Sequence, residues 1–543
     1  MKRLIYALML ALPALCTSAQ QVTVSWGEES KTELTFRSFV PDNANGMIKL
    51  CFASKTSFLK APTITPVLSR FSDKLALLNE RSIEVDDKNI SFNDLLSIKG
   101  KLFLFSNQYD KDAQTTTYYC QPLNIQTLDP DGNQINLGAF DALKKTSQTS
   151  VGYAFSKDSS KVMMFGQAPF KKGDNEKYYI CVMDNNMKKL WEKTIELPYL
   201  DKFVTFEESL ITNDGKVGVL IKHYDQDVTR EAVKKDGEKL PSYKEKLLIY
   251  SKDNANPVEY VLDLGDKFVH SLKLVSDNKS NLVVFGLYQD KISGGAFFHS
   301  TTQIVNDGYI TGFFTATFDK NSNKVTTANM NQFPADLVSQ VKIDKQGSDK
   351  EKDPGLHSAF ELADVEERAN GSKDFILEYR GSVYIEPTTT YMNGMMMTSG
   401  GYWLYNYGDI IDINLTKDGK VIIGRIPKMQ ISAVIAYFSS FKAVPYNNKL
   451  LIFYNDSPDN IDRDITKKPD DFNKFNKSVF VMGSFDEQGN LTRDVLFKNK
   501  DNKLTVAVSE CMKIGNNRIG LYAQKIGGIF SAAKDMVGIL DIK

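Results

Sequence analysis

The chain has 543 residues, with 67 Lys and Arg against 67 Asp and Glu and with 42% hydrophobic and 11% aromatic side chains, the profile of an ordinary globular protein. Disorder, collagen and coiled coil are excluded, and the length leaves either several domains or one large repeat architecture. Basic residues alternate with acids, as in Asp344 to Lys352, so no polyanion-binding face is built and nucleic acid is excluded as a partner.

In chain order, Lys2 and Arg3 precede an apolar run from Leu4 to Leu15, and Thr17-Ser18-Ala19 supplies the small residues of a cleavage site. Residues 1–19 are expected to be a signal peptide and the mature chain to begin at Gln20. Cys16 would suit lipid anchoring only if Leu15 before it were smaller. No later apolar run reaches the roughly 18 residues needed to span a membrane. The product is expected to be exported, periplasmic or associated with the outer membrane. Cys51, Cys120, Cys181 and Cys511 remain in the mature chain. A disulfide is permitted in that compartment, but each cysteine lies in a strand-like run, and at least two are expected to be buried small hydrophobes.

From Val22 onward the periodicity is that of strands, five to eight residues long and bounded by Asp, Asn, Gly and Lys. An apolar strand carrying an aromatic or aliphatic anchor recurs at Phe52, Phe105, Phe165, Ile221, Phe285, Tyr379, Phe453 and Tyr522, at intervals of 53, 60, 56, 64, 94, 74 and 69 residues. The long interval contains Pro334 to Gly355, read as a charged insertion loop. Turns rich in Asx and Gly follow in phase, at Leu128 to Asn133, Met183 to Asn186, Phe318 to Asn321, Thr416 to Gly419 and Phe485 to Gly489, as tight hairpins require. Four antiparallel strands per unit make a propeller blade, whose two apolar faces are covered only by its neighbours. Residues 20–543 are therefore predicted to form an all-β propeller of seven or eight four-stranded blades. The count is seven if the irregular segment Glu33 to Glu84 is not a full blade. The last unit runs out after three strands, and the spare strand Val22 to Trp26 is expected to complete it and close the ring. The competing reading is two smaller β-domains divided at 334–355.

Chemistry-bearing motifs are sparse. Four histidines lie far apart, and HExxH, CxxC, GxSxG, Walker and GxGxxG signatures do not occur. The Asp-rich turns fail as calcium loops, because the twelfth position is Phe140 counted from Asp129 and Ile195 counted from Asp184, where a bidentate Glu is needed. No metal, cofactor or catalytic set is therefore assigned. Glu207, Glu378 and Glu386 lie in or beside apolar strands and could face a channel, where propeller glycosidases place their acid and base carboxylates. The most unusual stretch runs from Glu386 to Tyr407, where Tyr391, Met395, Tyr402, Trp403 and Tyr405 are candidate binding residues, since rigid aromatics and adaptable methionine suit a partner or sugar surface. The alternative is a long hairpin that extends two blade strands and packs its own aromatics.

The run YNYGDIIDI from Tyr405 to Ile413, the turn Lys417 to Gly419, IPKMQ from Ile426 to Gln430 and LIFYND from Leu451 to Asp456 together resemble a group of exported, propeller-like proteins of Bacteroidota with no established activity. The match covers about a seventh of the chain and departs from the group at Val421 to Gly424, where an aromatic often follows the turn. The resemblance implies the compartment and the fold. The leading functional expectation is a non-catalytic propeller that binds an envelope protein or glycan. A polysaccharide-acting enzyme using channel carboxylates and a structural subunit of an envelope assembly are the alternatives.

Overall fold

The computed structural model describes residues 22–31, 34–57, 60–84, 90–144, 147–169, 173–225, 231–235, 237–277, 279–292, 308–319, 324–325, 329–341, 355–385, 389–392, 395–398, 402–433, 437–515, 517–525 and 534–543. The fold is a β-propeller of eight blades. Blade 1 is the meander Thr35–Pro41, Met47–Ser57, Lys60–Phe71, Leu77–Ser82, so the irregular segment Glu33 to Glu84 is a full blade and the count is eight. Blades 2 to 7 begin at Ile90, Ser150, Val204, Phe268, Phe360 and Phe441 and repeat the plan. Blade 8 is assembled from Met512–Gly515 with Thr505–Val506, then Arg518–Lys525, Lys534–Ile542 and Val22–Trp26. Its fourth strand is thus the first described segment of the chain, paired antiparallel from Val22↔Ile542 to Trp26↔Gly538.

All eight recurring anchors lie on the second strand of successive blades. These strands are covered on both faces. Leu282–Gln289 is buried at every residue, and Phe105, Phe285 and Tyr522 are fully buried. Such strands read as unbroken apolar runs because neither face meets water. Within Leu282–Gln289 one position must lack a side chain, since a Cβ on Gly286 would sit 2.3 Å from the Phe314 ring.

Among the described residues the apolar core is divided into eight clusters, each shared by two neighbouring blades. Leu50 and Leu68 of blade 1 meet Leu95 and Leu104 of blade 2, and the series continues blade by blade. The eighth cluster joins Phe39 and Met47 of blade 1 to Ile514, Tyr522 and Ile539 of blade 8. Rings cross most interfaces. Phe285 stacks on Phe375 at 4.0 Å between blades 5 and 6, Phe165 on Phe206 at 4.6 Å between blades 3 and 4, and Phe36 on Tyr522 at 4.2 Å between blades 1 and 8. This packing overturns the two-domain alternative, because Phe285 and Phe313 on one side of the supposed boundary share a cluster with Phe375 and Ile411 on the other. Of the 334–355 insertion, Ala335–Gln340 is a short helix whose Leu337 and Val338 enter that same cluster, and 342–354 lies outside the described residues.

Cys51, Cys120, Cys181 and Cys511 are all buried thiols without a disulfide. Burial pushes Cys120 and Cys511 up to about 12, so they stay protonated and act as small hydrophobes. No described helix is long and apolar enough to cross a membrane.

Candidate binding face and channel

The first strand of each blade faces the ring axis, and in six blades it carries a one-residue register shift against the second strand. The extra residues are Arg37, Asn93, Glu207, His270, Ala363 and Ile514. A bulge re-aims side chains and interrupts pairing, and the four polar extra residues, Arg37, Asn93, Glu207 and His270, form a polar belt along the first strands. Ser38 Oγ, Asn93 Oδ1 and Ser271 Oγ in this belt are buried without a hydrogen-bond partner, which marks it as a place for ordered water or a polar ligand. Burial holds Glu207 above the ordinary carboxylate range and His270 below its ordinary value.

The two ends of the channel differ. One face carries the turns between first and second strands, at 42–46, 99–100, 156–160, 212–216, 277–281, 368–372, 447–448 and 516–517. They are short because their own side chains close them. Asp42 Oδ1 accepts from the amides of Ala44 and Gly46 at 2.8 and 2.7 Å, Asp277 repeats the arrangement, and Asn447 and Asn448 take φ of 45 and 60°. The Asp-rich turns between third and fourth strands lie on this face too, and Asp184 and Asp486 cap them through the amides of Asn186, Lys188, Gln488 and Asn490. These carboxylates are occupied by turn closure, and among the described residues no group of acids and histidines could hold a metal ion. Near this face the channel is bridged. Lys157 of blade 3 pairs with Glu367 of blade 6 at 2.5 Å, and Lys513 of blade 8 pairs with Glu366 of blade 6. Neither pair of blades is adjacent, so each contact reaches across the ring.

The opposite face carries the long connections, and they crowd onto blades 4 to 7 at 225–242, 290–311, 333–359, 386–401 and 457–478. In blade 6 the hairpin of Lys373–Ile385 and Tyr402–Leu415 runs past the start of the inner strand, from Arg380↔Tyr407 out to Ile385↔Tyr402, and Thr389–Met392 pairs with Met395–Thr398 beyond it. The backbone places Tyr402, Trp403 and Tyr405 on the returning strand of this hairpin and Tyr391 and Met395 on the short two-stranded ladder. Trp403 and Tyr405 are half-buried on its returning strand, as is Tyr407, over whose ring the Arg380 guanidinium sits at 5.9 Å. The side chains of Tyr391, Met395 and Tyr402 fall outside the described set, as does Glu386. At the root of the hairpin is a cavity of about 190 Å³, bounded by Tyr379, Asn406, Arg425, Met429 and the segment 468–471. Its floor holds the pair Asp409 and Arg425, with Nε and Nη2 each 2.8 Å from Oδ2.

Beneath this cavity the motif fragments YNYGDIIDI, IPKMQ and LIFYND converge. Lys428 and Glu378 are both fully buried, with Nζ 2.8 Å from Oε1. Glu378 Oε2 accepts from Arg380 Nε at 2.9 Å and Ser440 Oγ at 2.7 Å. Gln430 accepts from Lys428 Nζ and donates to the Asn455 carbonyl at 2.6 Å, and Asn455 donates to Val506 O in the next blade. Glu378, read from the sequence as able to face the channel, therefore has both oxygens engaged and no contact with solvent. Sequence reasoning missed Lys428, whose only signal is a cation inside the apolar run IIGRIPKMQI.

A second polar group lies between blades 4 and 5. Lys222 Nζ is 3.4 Å from Glu231 and 3.9 Å from Glu245, Tyr224 donates to Glu231 at 2.6 Å, and both oxygens of Glu245 lack a hydrogen bond. Burial pushes Glu245 up to about 8 against the opposing charge of Lys222. An unfolded Glu titrates near ~4.3, so the fold favours the neutral carboxyl. That contribution is complete below the unfolded value and is lost as pH rises through about 8. The variant Glu245→Gln is expected to match the wild type near pH 4 and to gain stability relative to it progressively up to pH 8 to 9. Urea midpoints measured across that range read the difference, and a pH-independent offset would rule out this assignment.

No protein family and no curated protein matches this sequence. Among solved structures, the chain is similar to the β-propeller domain of the Trilobed protease from Pyrococcus furiosus, at 9% identity over 87% of this chain and 98% of that one, TM-score 0.32. It is similar to the WD40 domain of SCAP from fission yeast at 7% identity over 96% and 94%, TM-score 0.37. It also resembles prolyl oligopeptidase B from Galerina marginata at 8% identity and TM-score 0.36, covering 91% of this chain but 56% of that protein. The assignment of the fold rests on the strand order above, and these likenesses carry no functional argument.

Proposed function

We propose that this protein is an exported, non-catalytic binding propeller that takes an envelope partner on the face carrying its long connections. The observation that supports the reading most is the asymmetry of the ring. One face is closed by two- to five-residue turns between first and second strands and by ion pairs spanning the channel. The other carries five extended connections on four consecutive blades, an aromatic hairpin and a cavity. Insertions on a rigid sheet scaffold are where binding residues concentrate. The catalytic alternative needs two accessible carboxyl groups roughly 5 to 10 Å apart, and Glu378 is withdrawn from it by its buried partners.

The experiment replaces 386–401 by Asn-Gly, which keeps the Ile385↔Tyr402 pair and suits a two-residue hairpin. Wild type and variant are compared in pull-downs from envelope extract, and the purified native chain is sequenced from its N-terminus. The expected results are a mature start at Gln20, a partner retained by the wild type, and at least a tenfold loss in a variant with unchanged circular dichroism. Undiminished capture by the folded variant would refute the face, and an unprocessed Met1 would refute export.

A further inference from the structure

Resting on that reading, we infer that the cavity at the root of the blade 6 hairpin is a subsite for one neutral pyranose ring of a glycan partner. Charge, size and wall chemistry agree on this ligand class. The lining holds two cations, Arg425 and Lys468, and two carboxylates, Asp409 and Asp471, so no net charge is offered to an ion. Asp409 and Arg425 are moreover committed to each other at 2.8 Å, and Arg425 Nη1 donates to Ile465 O at 2.6 Å. Such a pair can share hydroxyl hydrogen bonds without giving up its partner, because a guanidinium has five N–H donors and a carboxylate about four lone-pair sites.

Asn406 and Gln340 line the same space, and a side-chain amide can both donate and accept, as a polyol requires. The remaining lining residues are apolar or aromatic, among them Val341, Tyr379, Met429, Ile431 and Pro469. They would meet the C–H face of a sugar while the polar groups meet its edge. The volume of about 190 Å³ is below the roughly 300–1,000 Å³ of drug-sized sites. It admits one six-membered ring.

The test uses the full mature chain and the methyl glycosides of glucose, galactose, mannose and N-acetylglucosamine, read by saturation-transfer NMR and titration. A ligand of this size is expected to bind with a dissociation constant of order 1 mM. At least one glycoside should saturate, glucuronate should bind at least tenfold more weakly, and Asn406→Leu and Gln340→Leu should each lose tenfold with unchanged circular dichroism. The 386–401 exchange variant should keep the monosaccharide while losing the macromolecular partner. Absence of saturable binding by every neutral glycoside overturns the subsite, as does equal binding by both Leu variants. Partner capture without sugar binding would remove this inference and leave the proposed function standing; loss of both would remove both.

Discussion

Replacing Lys428 by Met is expected to destabilise the protein by about 3–5 kcal/mol, the cost of removing one member of a buried ion pair. Lys428 and Glu378 are both fully buried and 2.8 Å apart, and Gln430 and the Tyr407 carbonyl accept the remaining protons of the ammonium. Removing the cation leaves Glu378 with Arg380 and Ser440 alone and frees two buried acceptors. The single variant Glu378→Leu strands the ammonium in the same way. The double variant removes both charges and lets Arg380, a third exposed, turn to Glu361, 3.6 Å away. It should therefore cost less than the sum of the singles by roughly 0.5–3 kcal/mol. Urea unfolding of all four proteins measures the cycle. A Lys428→Met protein within 1 kcal/mol of wild type would show that the pair is not buried as described.

Phe285→Ala is expected to cost about 3–5 kcal/mol, the range for a large aromatic removed from a packed core. Phe285 is fully buried and lies parallel to Phe375 of the next blade at 4.0 Å and 9°, with Phe313 behind it at 5.8 Å. Its neighbours belong to strands paired on both sides, so the ring cannot collapse to fill the gap. Phe285→Leu keeps most of the volume and should cost clearly less. Thermal unfolding followed by tryptophan fluorescence and by circular dichroism distinguishes the outcomes. If blades 5 and 6 share one core, both signals should shift together. A separate early transition of one half would instead revive the division at 334–355.

The regular part of the fold was legible because its physics is local. The anchors from Phe52 to Tyr522 mark a strand that every blade must bury on both faces, and the Asp- and Gly-rich turns mark hairpins that need positive φ or an Asx cap. The irregular Glu33 to Glu84 segment left the count open because Pro62 and Pro66 break the apolar run, although a proline is tolerated where its missing N–H is not needed. The register shifts at Arg37, Asn93, Glu207 and His270 had no sequence signal, since one extra residue leaves composition and apparent periodicity unchanged. The hairpin from Glu386 to Tyr407 was legible as an aromatic and methionine-rich anomaly. Its cavity was not, because the cavity is bounded by residues from 340 to 471.

By itself the sequence determined the strand class, the repeat and the positions of the tight turns, each set by contacts within a few residues or by alternation along one strand. Tertiary structure alone decided that Lys157 meets Glu367 across the ring. It also decided that Glu378 faces Lys428 and not the channel, and that the long connections of blades 4 to 7 share one face. Those outcomes depend on how eight sheets are arranged around an axis. Charge pairing between distant blades is fixed by that geometry, which spacing along the chain does not encode.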